Sequence, residues 1–175
     1  MKLTVTLALV GGALVFSLGM PVAAQAACPV PAWSSTTPPL NQTHVFCGEI
    51  ASNGDVKGYH SESVVPPKAG NTVVSVSGYK VLSGDIYSGY PKFSNGKSKY
   101  STFFPKACTQ TQIVNSALYV AANGSPASDW GVVGPSAPST GGSTYCLNKG
   151  AAFPMKVDPK KDSKGKTYLN TAFPM

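Results

Sequence analysis

Four cysteines behind an export-type leader constrain this chain most. The sequence opens Met1-Lys2-Leu3, runs apolar from Val5 to Leu18, and reaches Ala23-Ala24-Gln25-Ala26-Ala27. A basic start, an apolar core and a small-residue ending are the pattern of a secretory signal peptide, which predicts cleavage after Ala26. The apolar run is short and Gly-containing, and no stop-transfer charges follow it, so a membrane anchor is disfavoured. Cys28, Cys47, Cys108 and Cys146 then face an oxidising compartment, and an even count there reads as disulfides. Three connectivities are open; proximity in sequence favours Cys28–Cys47 and Cys108–Cys146. A zinc site would call for close pairs such as Cys-x-x-Cys, and none exists.

The remaining chain is one domain in size, large enough for its own core. It divides into a signal peptide (1–26), a Pro/Ser/Thr-rich arm (27–42) and a body (43–175). The arm is expected to lie on the domain, tied down by Cys28 and plugged into the core by Trp33. His44 to Ile50 reads as a strand or one helical turn. Ser52-Asn53-Gly54-Asp55 is a turn, and Val56 to Ser63 brings the chain back. Residues 72–82 alternate and read as a strand. Residues 84–96 and 125–144 are Gly/Ser-rich and read as loops. Residues 97–104 are extended, with Lys99, Ser101 and Phe103 on one face.

The best helix opens at Thr109, with Gln112 completing a capping box. Its apolar stripe is Ile113, Val114, Ala117, Leu118 and Ala121, and Asn123-Gly124 closes it. Two strands, 151–157 and 167–173, are predicted at the end, joined by a linker over 158–166. The expected class is α+β: an antiparallel sheet against one or more helices, stapled by disulfides.

Charge is sparse and one-sided. All fourteen basic residues are lysine, against seven acids, and loss of Lys2 leaves 13 − 7 = +6. Such a balance suits a polyanionic partner. Without arginine, lysines must supply point charges in place of bidentate recognition.

The chain's two histidines, His44 and His60, lie sixteen positions apart on either side of the predicted turn, each near a glycine and a glutamate. RNA carries its own nucleophile, the 2′-hydroxyl. Cutting it needs a base for that proton, an acid for the leaving 5′-oxygen and a cation for the charge growing on phosphorus. Histidine serves both proton roles because its ordinary pKa lies near 6.5. Two histidines and a lysine are therefore the minimal set. The plainer reading is one surface histidine and one core histidine. Metal binding is less favoured, since no His-x-x-x-His spacing is present.

Four blocks carry a family resemblance: His44-Val45-Phe46-x-Gly48-Glu49-Ile50; Gly58-Tyr59-His60-Ser61; Lys99-Tyr100-Ser101-Thr102-Phe103-Phe104-Pro105-Lys106; and Asn170-Thr171-Ala172-Phe173-Pro174. In this order they resemble the EndoU endoribonucleases, in their bacterial, toxin-like branch. The resemblance implies a small EndoU-type fold and endonucleolytic cleavage of single-stranded RNA to 2′,3′-cyclic phosphate and 5′-hydroxyl ends. It makes His44 and His60 the acid/base pair, Lys99 the transition-state cation, and Thr171 a hydroxyl near the phosphate or base. Glu49 and Ser61 support them, while Lys97, Lys106 and Tyr100 are candidates for holding RNA. Tyr59, Tyr100 and Trp130 either stack a base or belong to the core.

Thr43 stands where eukaryotic relatives carry a glutamate before the first histidine, which implies metal-independent cleavage with no cofactor. Phe173 occupies the neighbourhood of a tyrosine in other relatives and lacks its hydroxyl, which leaves base preference open. An exported enzyme of this kind is secreted or periplasmic and has RNA as its partner. A toxin role would add a cognate immunity protein. The alternative is a non-catalytic exported domain that binds polyanions through its basic face.

Overall fold

The structure is a computed structural model that describes residues 28–70 and 72–175; the expected signal peptide, 1–26, lies outside them. Among the described residues, nine strands and one α-helix follow in the order β1 (Glu49–Ile50), β2 (Val56–Lys57), β3 (Val73–Ser83), β4 (Ile86–Phe93), β5 (Ser101–Phe103), α1 (Gln110–Asn123), β6 (Ser125–Pro126), β7 (Val132–Pro135), β8 (Pro154–Lys161) and β9 (Thr167–Pro174). They form a two-stranded hairpin β1-β2, a three-stranded sheet β3-β4-β5 and a four-stranded sheet β6-β7-β8-β9. Every pairing between these strands is antiparallel. The architecture is α+β. None of the helices among the described residues is long and apolar enough to cross a membrane.

Helix α1 begins where capping chemistry dictates. The Thr109 side chain accepts from the Gln112 amide, and the Gln112 side chain accepts from the Thr109 amide. Its buried stripe of Ile113, Val114, Ala117 and Val120 packs with Met155, Val157, Leu169 and Ala172 of β8 and β9 in the main core. The helix ends at Gly124, but not through a left-handed residue, since Gly124 has φ −73°. Glycine is required there by close approach: a Cβ would lie 2.6 Å from the Val120 oxygen and 2.9 Å from the Val133 oxygen.

A second core of Tyr59, Val73, Tyr87, Phe93 and Phe103 belongs to the three-stranded sheet. Residues 84–96, expected as loop, supply its central strand. In β4 Ile86, Tyr87, Ser88 and Phe93 are buried despite the surrounding Gly and Ser, Ile86 in the main core and Tyr87 and Phe93 in the second. Pairing on both edges, with β3 and β5, compensates for a weak intrinsic preference. Part of 125–144 is also strand, as β6 and β7.

The final hairpin is tighter than its sequence suggests. β8 runs on to Lys161, so only residues 162–166 turn. Pro159 is tolerated because beyond Val157 the strand has lost its β7 partner, and a register shift sits between Val157 and Pro159.

Cys28–Cys47 and Cys108–Cys146 are bonded. The arm is held by Leu40, which is fully buried, and by a parallel bridge from Leu40 to Leu169. Trp33, expected in the core, is 44% exposed and meets Tyr168 edge-on at 5.5 Å.

Candidate active site

Both histidines are set by the backbone around them. His44 sits in a single π-helical turn, Thr43–Cys47, closed by the Gly48 amide donating to the Thr43 oxygen at 2.9 Å. The Asn41 side-chain oxygen accepts from the His44 amide at 3.0 Å. Gly48 leaves the turn at φ +74° and starts β1. The β1-β2 hairpin then returns the chain directly over the turn. The Tyr59 amide donates to the His44 oxygen at 2.8 Å, and the His60 amide donates to the Val45 oxygen at 2.7 Å.

This return passes through two consecutive left-handed residues, Gly58 (φ +71°) and Tyr59 (φ +66°). A left-handed tyrosine is strained by roughly 1–3 kcal/mol. Here the strain is held in place by complete burial of the ring and by its hydroxyl, which donates to the Val65 oxygen at 2.9 Å. Tyr59 is therefore a core residue and not a stacking surface.

The two rings are oriented in the same sense. His44 Nδ1 donates to Glu49 Oε2 at 2.8 Å, while Glu49 Oε1 accepts from the Asn41 amide group at 3.2 Å. The His44 hydrogen bond holds the Glu49 carboxyl below its ordinary range, against the opposing effect of burial. His60 Nδ1 meets the Thr102 carbonyl at 2.9 Å, an acceptor that forces the proton onto Nδ1. Burial, helped by the charge of Lys99, pushes the His60 ring well below the ordinary histidine value; the Thr102 bond opposes this. The neutral ring therefore offers a bare Nε2. It stacks on Phe173 with centroids 5.2 Å apart and planes 24° apart.

Lys99 precedes β5 and turns its ammonium inward. Nζ donates to Ser101 Oγ at 2.6 Å and to the Gly58 oxygen at 3.2 Å. Burial lowers its pKa to about 8. Thr171, on β9, is buried with its hydroxyl unpaired: among the described residues its Oγ1 is a buried polar side-chain atom lacking any hydrogen-bond partner. Such a group carries a penalty of roughly 1–3 kcal/mol unless something else supplies the bond.

His44, His60, Lys99, Tyr100 and Thr171 all line one open cleft of about 440 Å³. It lies where the histidine segment, β5, β8 and β9 converge. Lys57, Thr102, Trp130, Asp158, Asn170 and Phe173 complete its walls. Glu49 stands behind His44. Ser61 is buried outside the cleft, bonded to Ser63 at 3.2 Å and receiving the Val64 amide at 3.4 Å. Lys97 is exposed and paired with Asp55 at 3.3 Å. Lys106 lies over the rings of Tyr79 and Tyr87, at 5.9 and 5.4 Å, beside a different hollow.

Sequence reasoning gave no role to Lys57, Asp158 or Asn170, although Asn170 opens the last of the four blocks. For Lys57 the signal was present, since it is a basic residue between the turn and Gly58. Asp158 was hidden by its place in a segment that reads as linker. Among the described residues, no group of three His, Cys, Asp or Glu side chains gathers as a metal site.

Searches of curated proteins and of solved structures found no match. The model of one family, the bacterial EndoU nucleases, matches residues 40–175. That span contains both histidines, Lys99, Thr171 and every strand of all three sheets. The chain belongs to the bacterial EndoU nuclease family.

Proposed function

We propose that the protein is an exported endoribonuclease that cuts single-stranded RNA by attack of a 2′-hydroxyl on the adjacent phosphodiester. The observation that carries this reading is the shared orientation of the two rings. Each histidine commits Nδ1 to the protein, so each has only Nε2 for chemistry, and both line a cleft with a lysine ammonium and an unpaired hydroxyl.

In this reading His60, kept neutral by burial, takes the 2′-hydroxyl proton on Nε2. The 2′-oxygen forms its bond to phosphorus as the bond to the 5′-oxygen breaks. His44 gives its Nε2 proton to that departing oxygen, with Glu49 holding the ring's tautomer and direction. Lys99 and the Thr171 hydroxyl face the non-bridging oxygens, where charge accumulates. The products are a 2′,3′-cyclic phosphate and a 5′-hydroxyl. Lys57 and the chain's excess of lysine draw the backbone in, so binding weakens with salt. Lys99 supplies the positive charge that a metal would otherwise provide, which supports turnover without a divalent ion.

The two disulfides support an oxidising destination, secreted or periplasmic. A toxin role would follow from export of an RNA-cutting enzyme, with a cognate immunity protein as its partner in the producing cell.

The test uses the oxidised protein, a 5′-labelled single-stranded RNA and the same strand as DNA, in EDTA. RNA fragments with cyclic-phosphate ends and intact DNA are expected. His44→Ala and His60→Ala should each lower the rate by about 10² or more. Full cleavage by both variants overturns the assignment.

A further inference from the structure

Trp130 is a large aromatic side chain held in solvent at the edge of the cleft. It is 43% exposed, yet its surroundings fix it. It sits in the β6-β7 hairpin, closed by the Ala127 amide donating to the Gly131 oxygen at 3.0 Å. Gly131, with φ +73°, lets the hairpin press on β8: a Cβ would lie 2.4 Å from the Val157 oxygen. The ammonium of Lys156, a residue only 6% exposed, stands 4.0 Å from the indole centroid and is itself paired with Asp129. The indole also leans on Phe173 at 6.0 Å, and Phe173 stacks on His60. A buried lysine and a left-handed glycine thus hold an exposed tryptophan. A flat ligand in the cleft would cover the exposed part of that ring.

Asp158 lies two residues from Lys156 on β8, beside the register shift against β9. It is 7% exposed, lines the cleft and has Lys160 at 3.3 Å as its ion-pair partner. An ionised carboxylate only accepts hydrogen bonds and has about four lone-pair sites, so this pairing leaves most of its capacity open. Opposite it on β9, Asn170 also lines the cleft. A base edge suited to this wall is one that donates.

We propose that Trp130 and Asp158 form a nucleobase subsite that takes guanine in preference to the other bases. The base lies on the indole and turns its Watson–Crick edge to the carboxylate. Guanine presents two adjacent donors there, N1–H and N2–H, which match the two carboxylate oxygens. Adenine and cytosine present one amine beside a ring-nitrogen acceptor, and uracil presents one N–H flanked by two carbonyls. The subsite joins His60 through Phe173, so its nucleotide is the one whose 2′-hydroxyl is attacked. The inference rests on the ribonuclease reading for that last point and not for base binding itself. Neither Trp130 nor Asp158 lies in the four blocks that resemble the family.

Binding and cleavage test it separately. The chain has two tryptophans, so in a Trp33→Phe protein Trp130 is the single indole reporter. Titration with guanosine 3′-monophosphate should quench its emission, with affinity on the order of tenfold above uridine 3′-monophosphate. Dinucleotides GpC, ApC, CpC and UpC should give kcat/KM values with GpC highest. Asp158→Asn should lower the GpC-to-UpC ratio by about tenfold. Trp130→Ala should weaken all four by about tenfold through KM, with Trp130→Phe restoring most of it. Equal or tighter binding of the uridine nucleotide, or an unaltered ratio in Asp158→Asn, overturns the subsite. Guanosine-selective quenching without cleavage of any RNA retains the subsite and overturns the ribonuclease reading instead.

Discussion

A β-carbon on Gly58 would lie 1.9 Å from the carbonyl oxygen of His44 and 2.9 Å from its ring carbon Cδ2. The glycine lies where the returning chain crosses the first histidine. Its own carbonyl also receives the Lys99 ammonium at 3.2 Å and the Ser101 hydroxyl at 3.3 Å. Gly58 thus spaces both histidines and the lysine at once. Gly58→Ala should remove nearly all cleavage and destabilise the fold by at least about 2 kcal/mol, from the left-handed backbone plus the clash. A thermal melt and a single-turnover assay read the two effects. Wild-type activity in this variant would show that the crossing is not needed.

Lys99 should contribute a loss of activity to the alkaline side of the pH profile. With a pKa of about 8, the ammonium is charged below that pH and lost above it. If it stabilises the transition state, kcat/KM falls as pH rises through about 8. Lys99→Arg, which stays charged, should lower the overall rate and make that fall shallower. On the acid side, burial keeps His60 neutral through the ordinary histidine range. Its ring signals in a proton NMR titration should show no step near 6.5 and should move only well below it.

Thr171→Val separates function from stability. The hydroxyl is buried without a partner, so replacing it by a methyl should leave the fold as stable or raise it by about 1 kcal/mol. Cleavage should drop by roughly tenfold or more, because one donor to the phosphate is gone. Denaturant unfolding and kcat measured on one preparation decide it. Equal losses in both would make Thr171 structural.

Reducing the disulfides should act unequally. Bridges closing 19 and 38 residues stabilise by about 3 and about 4 kcal/mol respectively in the chain-entropy picture. Cys47 belongs to the turn that carries His44. Cys28→Ser/Cys47→Ser should therefore lower activity at temperatures where the protein is still folded. Cys108→Ser/Cys146→Ser should lower the melting temperature more and the folded-state activity less.

Glu49→Gln tests the positioning of His44. It keeps one acceptor for Nδ1 and loses the charge, so kcat should fall about tenfold to a hundredfold with KM for RNA little changed. A change confined to KM would make Glu49 a binding residue.

Local chemistry made some of this molecule legible in advance. The capping box at Thr109 and the stripe from Ile113 describe a helix that needs only its own side chains and one face of apolar contact. The valine alternation of β3 is of the same kind. The central strand β4 was not legible, because Gly, Ser and Pro take up a strand only when partners on both edges satisfy the backbone. Asp158 was concealed for a related reason: Pro159 looks like a strand terminator until β7 is seen to stop short of it.

By itself, then, the sequence determined the chemical inventory: two imidazoles, lysine as the cation, a threonine hydroxyl, paired cysteines and one capped helix. Residue type and short-range spacing suffice for these, because pKa ranges, capping and export signals are local properties. Tertiary structure alone decided which lysine turns inward, which nitrogen of each ring is free, and which carboxylate reaches the cleft. The Lys99 ammonium meets Gly58 across 41 residues and the His60 ring meets the Thr102 carbonyl across 42. Hydrogen bonds of that span form only after two sheets have closed on the histidine segment, and no local pattern encodes them.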